Sequence, residues 1–548
     1  MQKYFTYFLI TFLAASVGAC SCDDDDDVSG NGDSGDDDAD DDTYVDDDSA
    51  IDDDGDDDGD DDDVIERPNI VVIMADDLDE KLLDVLIDGG HMPNLKENII
   101  DVGIDFRESY ATNPLCCPSR ATFLTGQYTH NNGVRTNNFP FGGVTRLDDT
   151  STVATWLQDA GYHTGIVGKY LNGYGTETED DYIPPGWSDW QALTSSTVYE
   201  VYGNTVNDNG ELVTYGETED DYQTDILADR SVEFIKDAPP DDPFFLWVTP
   251  LAPHVEFPED WLDQQPTYSA WYELTIRPAP RHEGVLDLDL PDEPSFNEAD
   301  ISDKPPYLLD RPHLSEEDIE NARAQYNGMA ASMLAVDDLI GDVFDALDAQ
   351  GRLDDTVVIF TSDNGYLLGR HLIPQKNAPY EESIRVPLYM RVPGFGPATT
   401  DRMTANNDLA PTFADLADAE PDIAVDGRSL VPLIEDPQSD IWRRRLLFEH
   451  WSATGTTIEV PTFAAVRSGV GAPEGEGFIQ VEYRSFFGVP TDSEFYEIAA
   501  DPYQLDSAHE DAQYESVRGS LSEFVAALKD CVGDECRVWE DAATTPAK

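Results

Sequence analysis

Residues Asn113–Gly126 read NPLCCPSRATFLTG. They place Cys116 and Cys117 side by side in a chain of 548 residues with six cysteines. A bridge between adjacent cysteines is strained, because disulfide geometry needs a wider Cα separation, so this pair has some other role. Four more stretches end in groups able to handle cations, anions or protons. NIVVIMADD closes on Asp76 and Asp77, HTGIVGKY reaches Lys169, PFFLWVTPLAPH reaches His254, and TVVIFTSDNG closes on Asp363 and Asn364. Each has an ordinary reading by itself: a turn, a solvated lysine, a structural histidine, a buried apolar thiol. Four such ends together suggest one site assembled from distant segments.

The elements that must position them follow from hydrophobic patterning. These runs are apolar without alternation, which fits strands buried on both faces of a parallel sheet. Helical patterns lie between them. One spans Thr152–Ala160 with a stop at Gly161, and another spans Glu316–Gln350 with a stop at Gly351. Strands alternating with helices predict an α/β fold with a mostly parallel sheet flanked by helices, and ligands of such sheets bind at the carboxyl ends of the strands. Residues Asp180 to Leu314 are rich in Pro, Trp, Tyr and acids and read as long surface loops that shape substrate binding. Trp187, Trp190 and Trp261 would either stack on sugar rings or sit in the core. After Leu433 come RRLLFEH, FIQVEYR and SEFYEI, then a helical stretch over Tyr514–Lys529. They predict a smaller α+β subdomain with an antiparallel sheet. In KDCVGDECR, Cys531 and Cys536 read as a short disulfide loop in an exported protein.

The first residues form a separate unit. Lys3 is followed by an apolar run from Phe8 to Val17, too short to span a bilayer, and then by Val-Gly-Ala-Cys. This layout fits a secretory signal and resembles a bacterial lipoprotein signal. Cleavage before Cys20 and acylation of its thiol would anchor the protein at a membrane surface; the alternative is an ordinary cleaved signal. Residues Asp23–Asp63 hold 25 Asp in 41 positions. Such a segment reads as a disordered, self-repelling spacer. The expected organisation is therefore a signal over 1–19, a linker over 20–63, a catalytic domain over 64–432 and a C-terminal subdomain over 433–548. The formal charge is −82; without the Asp-rich segment's 25 negative charges and with Lys3 set aside, residues 64–548 still carry −58. That surface excludes nucleic acid as a partner, which needs Lys and Arg at phosphates, and it hints at a saline habitat.

The stretch Cys116-Cys117-Pro118-Ser119-Arg120, continued by Ala121-Thr122-Phe123-Leu124-Thr125-Gly126, resembles the signature of the type I sulfatases, C-x-P-S-R then A-x-x-L-T-G. The resemblance covers residues 66–540. It implies an alkaline-phosphatase-like fold and conversion of Cys116 to formylglycine by a formylglycine-generating enzyme, with Cys117 a bystander. It also implies a divalent cation, Ca²⁺ with Mg²⁺ possible, held by Asp76, Asp77, Asp363, Asn364 and the modified Cys116. The protein ligands are all oxygen, a hard-cation set poor for zinc. GKYLNGYG at Gly168–Gly175, YIPPGWSDW, and the combination of CCPSR with CVGDECR resemble the branch acting on 6-O-sulfated glucosamine. That branch tends to have His where this chain has Leu367 after SDNGY, and His-Asn-His where it has His130-Asn131-Asn132. The resemblance therefore reaches the sulfate-handling core more firmly than the sugar.

The implied chemistry is sulfate-ester hydrolysis. In the family, one hydroxyl of the aldehyde hydrate attacks sulfur and the alcohol leaves; the second hydroxyl then collapses to the aldehyde and expels sulfate. Carried over, Arg120 holds the hydrate through its forked donors and Asp363 doubles as base. Lys169 and Lys376 bind sulfate oxygens. His254 bonds the sulfate or protonates the leaving oxygen, and His130 orients the hydrate. Some members carry a His at the position of Leu171. Two other readings compete: a phosphate or phosphonate ester hydrolase of the same superfamily, and an inactive surface lipoprotein that binds sulfated glycans.

Overall fold

The computed structural model describes residues 67–257, 266–452, 460–485 and 488–544. The expected signal, the Cys20 anchor, the Asp-rich linker and Trp261 lie outside the described residues. Asp63–Lys548 is one compact unit, built on two main sheets. Its strands are β1 Asn69–Ala75, β2 Ile104–Phe106, β3 Ser109–Tyr110, β4 His163–Lys169, β5 Asp189–Leu193, β6 Thr205–Asp208, β7 Glu211–Thr214 and β8 Phe244–Thr249. They continue with β9 Thr356–Ser362, β10 Leu388–Arg391, β11 Ala398–Thr400, β12 Thr404–Ala405, β13 Arg445–His450, β14 Thr462–Ser468, β15 Phe478–Arg484 and β16 Pro490–Glu497.

Ten strands form the large sheet in the order β11-β2-β10-β9-β1-β8-β4-β5-β6-β7. Its centre, β9-β1-β8-β4-β5, is parallel throughout, while β10, β6 and β7 join antiparallel. The fold is thus the mostly parallel α/β architecture read from the sequence. The period of two explains why the central runs show no polar alternation. Val71 and Ile73 point into a core shared with Met333, Val336 and Ile340 of the helix Glu316–Ala349. Ile70 and Val72 point into an opposite core shared with Phe123, Trp156 and Phe413. Both faces are therefore covered by helices and both accept only apolar side chains.

Local signals set the helix ends. Ser315 caps the helix Glu316–Ala349 by accepting from the Asp318 amide. Thr152 and Thr155 form a capping box for the helix Val153–Asp159, and Gly161 takes a left-handed φ of 88° just past its end.

The stretch Asp180–Leu314 is less irregular than its composition predicts. It contains β5, β6, β7 and a helix over Gln223–Asp237. That helix buries Ile226, Leu227, Phe234 and Ile235. Its central turn carries Arg230 and Ser231, which break the apolar pattern. Both are buried through bonds made only on folding: Arg230 Nη1 donates to Asp208 at 2.9 Å and Ser231 Oγ to the Leu227 carbonyl at 2.7 Å. The C-terminal sheet has four antiparallel strands in the order β13-β14-β15-β16. The sequence reading missed β14, a central strand whose two alanines weaken its apolar signature. The helix Glu515–Leu528 covers this sheet with Leu521, Phe524, Val525 and Leu528.

Candidate active site

Four adjacent parallel strands deliver the chemistry to one sheet edge. Asp363 and Asn364 follow β9, Asp76 and Asp77 follow β1, His254 lies five residues past β8, and Lys169 ends β4. The strand-end path after β8 is drawn alongside by a bridge between Asp76 and Pro253 and by the Asp76 amide bonding the Ala252 carbonyl at 3.3 Å. Gly168 sits at φ 120°, where a Cβ would meet the Thr249 carbonyl oxygen at 2.3 Å. Only glycine fits immediately before Lys169.

The helix Cys116–Thr125 is buried along its whole length. Pro118 falls in its first turn, where a missing amide hydrogen costs nothing. Gly126 ends it at φ 66°, and a Cβ there would strike Val425 at 2.6 Å. The Cys117 amide donates to Asn137 Oδ1 at 3.0 Å, and its thiol joins the apolar core. Cys116 faces the site instead. Its Sγ lies 3.6 Å from Asp76 Oδ1 and 3.9 Å from Asp77 Oδ1, and Lys376 Nζ donates to it at 2.8 Å. Lys376 arrives on a loop closed by the Leu367 amide and the Gln375 carbonyl at 2.6 Å.

The site is buried and charge-balanced. Lys169 pairs with Asp76 and Lys376 with Asp77, all four buried. Arg120 Nε donates to Asp363 Oδ2 at 2.7 Å and its Nη1 to the Lys169 carbonyl at 2.7 Å, and its Nη2 lies 3.5 Å from Asp76. Asp363 Oδ1 accepts from the Asp77 amide at 3.2 Å, and Asp77 is held at a left-handed φ of 69°. His254 Nδ1 is engaged with the Val255 carbonyl at 2.6 Å, and its Nε2 lies 3.7 Å from Asp77 Oδ2.

These contacts shift the acid–base behaviour. Burial pushes the Cys116 thiol up to about 12, although Lys169 and Lys376 oppose it, so an unmodified thiol would be neutral and a weak nucleophile at pH 7. Burial and the neighbouring Asp76 raise Asp363 to about 6. Burial also resists ionisation of Asp76, but Lys169, His254 and Arg120 outweigh it and hold its carboxyl well below the usual range. Burial lowers His254 to about 4.

The clustered donors could hold a metal ion. Ligand atoms of Asp76, Asp77, Cys116 and His254 all lie within 4.8 Å of one another. Asn364 Nδ2 donates to Asp77 Oδ1 at 2.7 Å while its Oδ1 is buried with no partner, and an orphaned amide oxygen beside carboxylates is what a hard cation takes up. His254 stands inside this group, whereas the sequence reading had placed it at the sulfate or the leaving oxygen.

One expectation is corrected and one open alternative is decided. His130 does not face Cys116. Its Nδ1 bonds Glu449 at 2.8 Å and its Nε2 bonds the Cys531 carbonyl at 2.9 Å. With both nitrogens engaged, it ties the signature region to the C-terminal subdomain, where Cys531 and Cys536 form a disulfide. Trp187 and Trp190 are core residues rather than sugar platforms; Trp190 Nε1 is spent on Tyr174 at 2.8 Å. Sequence reasoning also missed Tyr199, whose ring lies against both Lys169 and His254. It sits in a stretch whose composition carries no motif.

With this geometry in place, the comparisons are direct. The sulfatase family pattern matches residues 68–419, and the C-terminal pattern of N-sulphoglucosamine sulphohydrolase matches residues 369–530. The chain is 30% identical over 503 residues to N-acetylglucosamine-6-sulfatase of Capra hircus, covering 86% of this chain and 85% of that protein. It is 26% identical over 528 residues to N-acetylglucosamine-6-O-sulfatase of Bacteroides thetaiotaomicron, covering 84% and 86%. A solved structure in complex with its substrate D-glucosamine-2-N,6-O-disulfate superposes with a TM-score of 0.68 at 23% identity, over 88% of this chain and all of that one. Phosphonate monoester hydrolase of Agrobacterium radiobacter shares the fold with a TM-score of 0.60 at 24% identity, over 84% and 95%. The fold is alkaline-phosphatase-like. Within that class the chain belongs to the sulfatase family and is a sulfuric ester hydrolase.

Proposed function

We propose that this protein removes 6-O-sulfate from glucosamine-type or related sulfated carbohydrates, with a formylglycine made from Cys116 and a divalent cation, Ca²⁺ with Mg²⁺ as the alternative. The observation that carries the reading is the convergence of Lys376 Nζ on Cys116 Sγ at 2.8 Å, beside Asp76 at 3.6 Å, inside a buried site. The raised thiol supports the need for modification, because burial keeps an unmodified Cys116 protonated at neutral pH. The hydrate of the formylglycine would supply the nucleophilic hydroxyl and a second hydroxyl that lets sulfate depart without hydrolysis of a sulfo-enzyme. Asp76, Asp77, Asp363 and Asn364 would hold the cation, which would polarise a sulfate oxygen.

The chain's own side chains then do the following. Arg120 fixes the base Asp363 and the start of the signature helix. Asp363 takes the proton of the attacking hydroxyl. Lys169 and Lys376 exchange part of their pairing with Asp76 and Asp77 for sulfate oxygens. His254 faces the leaving oxygen through Nε2, its Nδ1–H being held by the Val255 carbonyl; a sulfate anion bound beside the ring would favour the imidazolium, and Nε2 would then carry the proton given to the leaving oxygen. The sugar assignment is supported by the names of the relatives from Capra hircus and Bacteroides thetaiotaomicron. Relatives in Caenorhabditis elegans and Drosophila melanogaster are named extracellular sulfatases, which supports export. Attachment through a lipid on Cys20 and maturation by a formylglycine-generating enzyme complete the proposal.

The test is the mass of the tryptic peptide Glu108–Arg120 from the native host, read with turnover of glucosamine 6-sulfate, an aryl phosphate and a phosphonate diester. Aldehyde at Cys116 and turnover of the sulfate alone are expected. Preference for the phosphonate would sink the sulfate assignment. An unmodified Cys116 with no turnover would favour the glycan-binding reading.

A further inference from the structure

The proposed sulfate pocket has a wall that no motif announces. Tyr199 ends the short turn Ser195–Tyr199 that follows β5. Lys169 Nζ lies 5.0 Å from the centre of its ring, and the His254 ring lies 5.1 Å away, tilted by 37°. Phe257 backs both, 4.9 Å from Tyr199 and 5.1 Å from His254. The phenol is held in turn: Asn172 Nδ2 donates to Tyr199 Oη at 2.6 Å. Asn172 is itself fixed, its carbonyl accepting from the Val144 amide at 2.8 Å. One segment, Lys169–Asn172, thus supplies an ammonium and also anchors the ring on which that ammonium rests.

This arrangement addresses a competition within the site. Asp76 draws Lys169 into a buried ion pair, and an ammonium committed to a carboxylate has less to offer an incoming anion. The negative face of an aromatic ring attracts an ammonium without consuming a directed N–H donor. His254 has a parallel need. With Nδ1 spent on the Val255 carbonyl, the direction of Nε2 depends on what packs against the flat of the ring.

We propose that Tyr199 is a positioning residue for sulfate-ester hydrolysis: its ring forms a common wall for Lys169 and His254, turning the ammonium to the sulfate and the imidazole to the leaving oxygen. The inference rests on the roles proposed above for those two residues. The ring does the positioning, and the Asn172 bond to its hydroxyl steadies it.

The test compares the mature protein with Tyr199→Leu and Tyr199→Phe on two substrates. Glucosamine 6-sulfate releases an alcohol that needs a proton, whereas 4-nitrophenyl sulfate releases a phenolate that does not. For Tyr199→Leu, kcat/KM on the sugar sulfate should fall about tenfold or more, and on the aryl sulfate about threefold, because only the first substrate needs a correctly aimed proton donor. Tyr199→Phe should recover activity to within about threefold of the parent, since the π face is kept. Equal losses on both substrates that track a lowered Tm would overturn the proposal, as would a Phe variant no better than Leu. A second readout needs no turnover: titration calorimetry of inorganic sulfate into Cys116→Ala with and without Tyr199→Leu. Weaker sulfate binding in the double variant is expected, and equal binding overturns the role at Lys169. If Cys116→Ala binds no sulfate and the parent turns over neither ester, the sulfate reading of the site fails and this proposal fails with it.

Discussion

Arg120 Nε and Asp363 Oδ2 meet at 2.7 Å with neither side chain exposed. The pair ties the first turns of the signature helix to the carboxyl end of β9, and through the Lys169 carbonyl the same guanidinium reaches β4. Lysine cannot reproduce this fork. Arg120→Lys should lose about 3 kcal/mol of stability, as breaking a buried pair does, and kcat/KM should fall at least about a hundredfold, since several reacting groups lose their register together. Urea unfolding and aryl sulfate kinetics check both; retained activity would mean the pair is structural only.

Cation removal should be reversible and selective. Dialysis against a chelator is expected to abolish sulfatase activity, with Ca²⁺ or Mg²⁺ restoring it and Zn²⁺ failing, as the oxygen donors demand. Asn364→Ala removes the orphaned amide oxygen and should raise the Ca²⁺ needed for half-maximal recovery by about tenfold or more. The Ca²⁺-dependent rise in Tm should shift in step. Full recovery with Zn²⁺ would contradict the ligand assignment.

The His130–Glu449 pair should make stability depend on pH. Burial opposes protonation of His130, but the Glu449 carboxylate and its hydrogen bonds outweigh it and raise the group to about 9 from an ordinary 6.5. A raised folded-state value stabilises the protein fully below about pH 6.5, and the contribution disappears as pH rises through about 9. The stability gap between the parent and His130→Ala should therefore be widest near pH 6 and shrink by about 3 kcal/mol by pH 10. Denaturant unfolding at three pH values measures this. A gap that does not change with pH would show the imidazole to be neutral in the fold.

The Cys531–Cys536 bridge closes a loop with a sequence separation of five. Its Cys531 carbonyl also receives His130 Nε2 and Asn131 Nδ2, each at 2.9 Å. Replacing both cysteines by serine should lower stability by about 2 kcal/mol, the closure entropy of so short a loop. Activity at 25 °C should stay within about twofold, because neither cysteine touches the site. A large loss of activity without a fall in Tm would place this loop in catalysis.

Much of the scaffold was legible because it depends on local pattern. NIVVIMA and TVVIFTS can be satisfied only by a strand covered on both faces, and the polar groups at their ends fall where the chain leaves that cover. Asp76, Asp77, Asp363 and Asn364 could therefore be assigned to one edge before any contact was known. The helix Gln223–Asp237 was hidden for the converse reason. Arg230 and Ser231 look exposed in sequence, and only their bonds to Asp208 and the Leu227 carbonyl make their burial tolerable.

By itself, the sequence determined that this is an α/β sulfatase with an oxygen-rich strand-edge site and a signature cysteine before a helix. All of these are set by short runs of residue type. Tertiary structure alone decided where the side chains turn. It brought Lys376 onto Cys116 across 260 residues, aimed His130 away at Glu449, buried Trp187 and Trp190 in the core, and laid Tyr199 between Lys169 and His254. Each of those outcomes depends on which distant group satisfies a buried charge or covers a ring, and that choice is made only when the segments pack together.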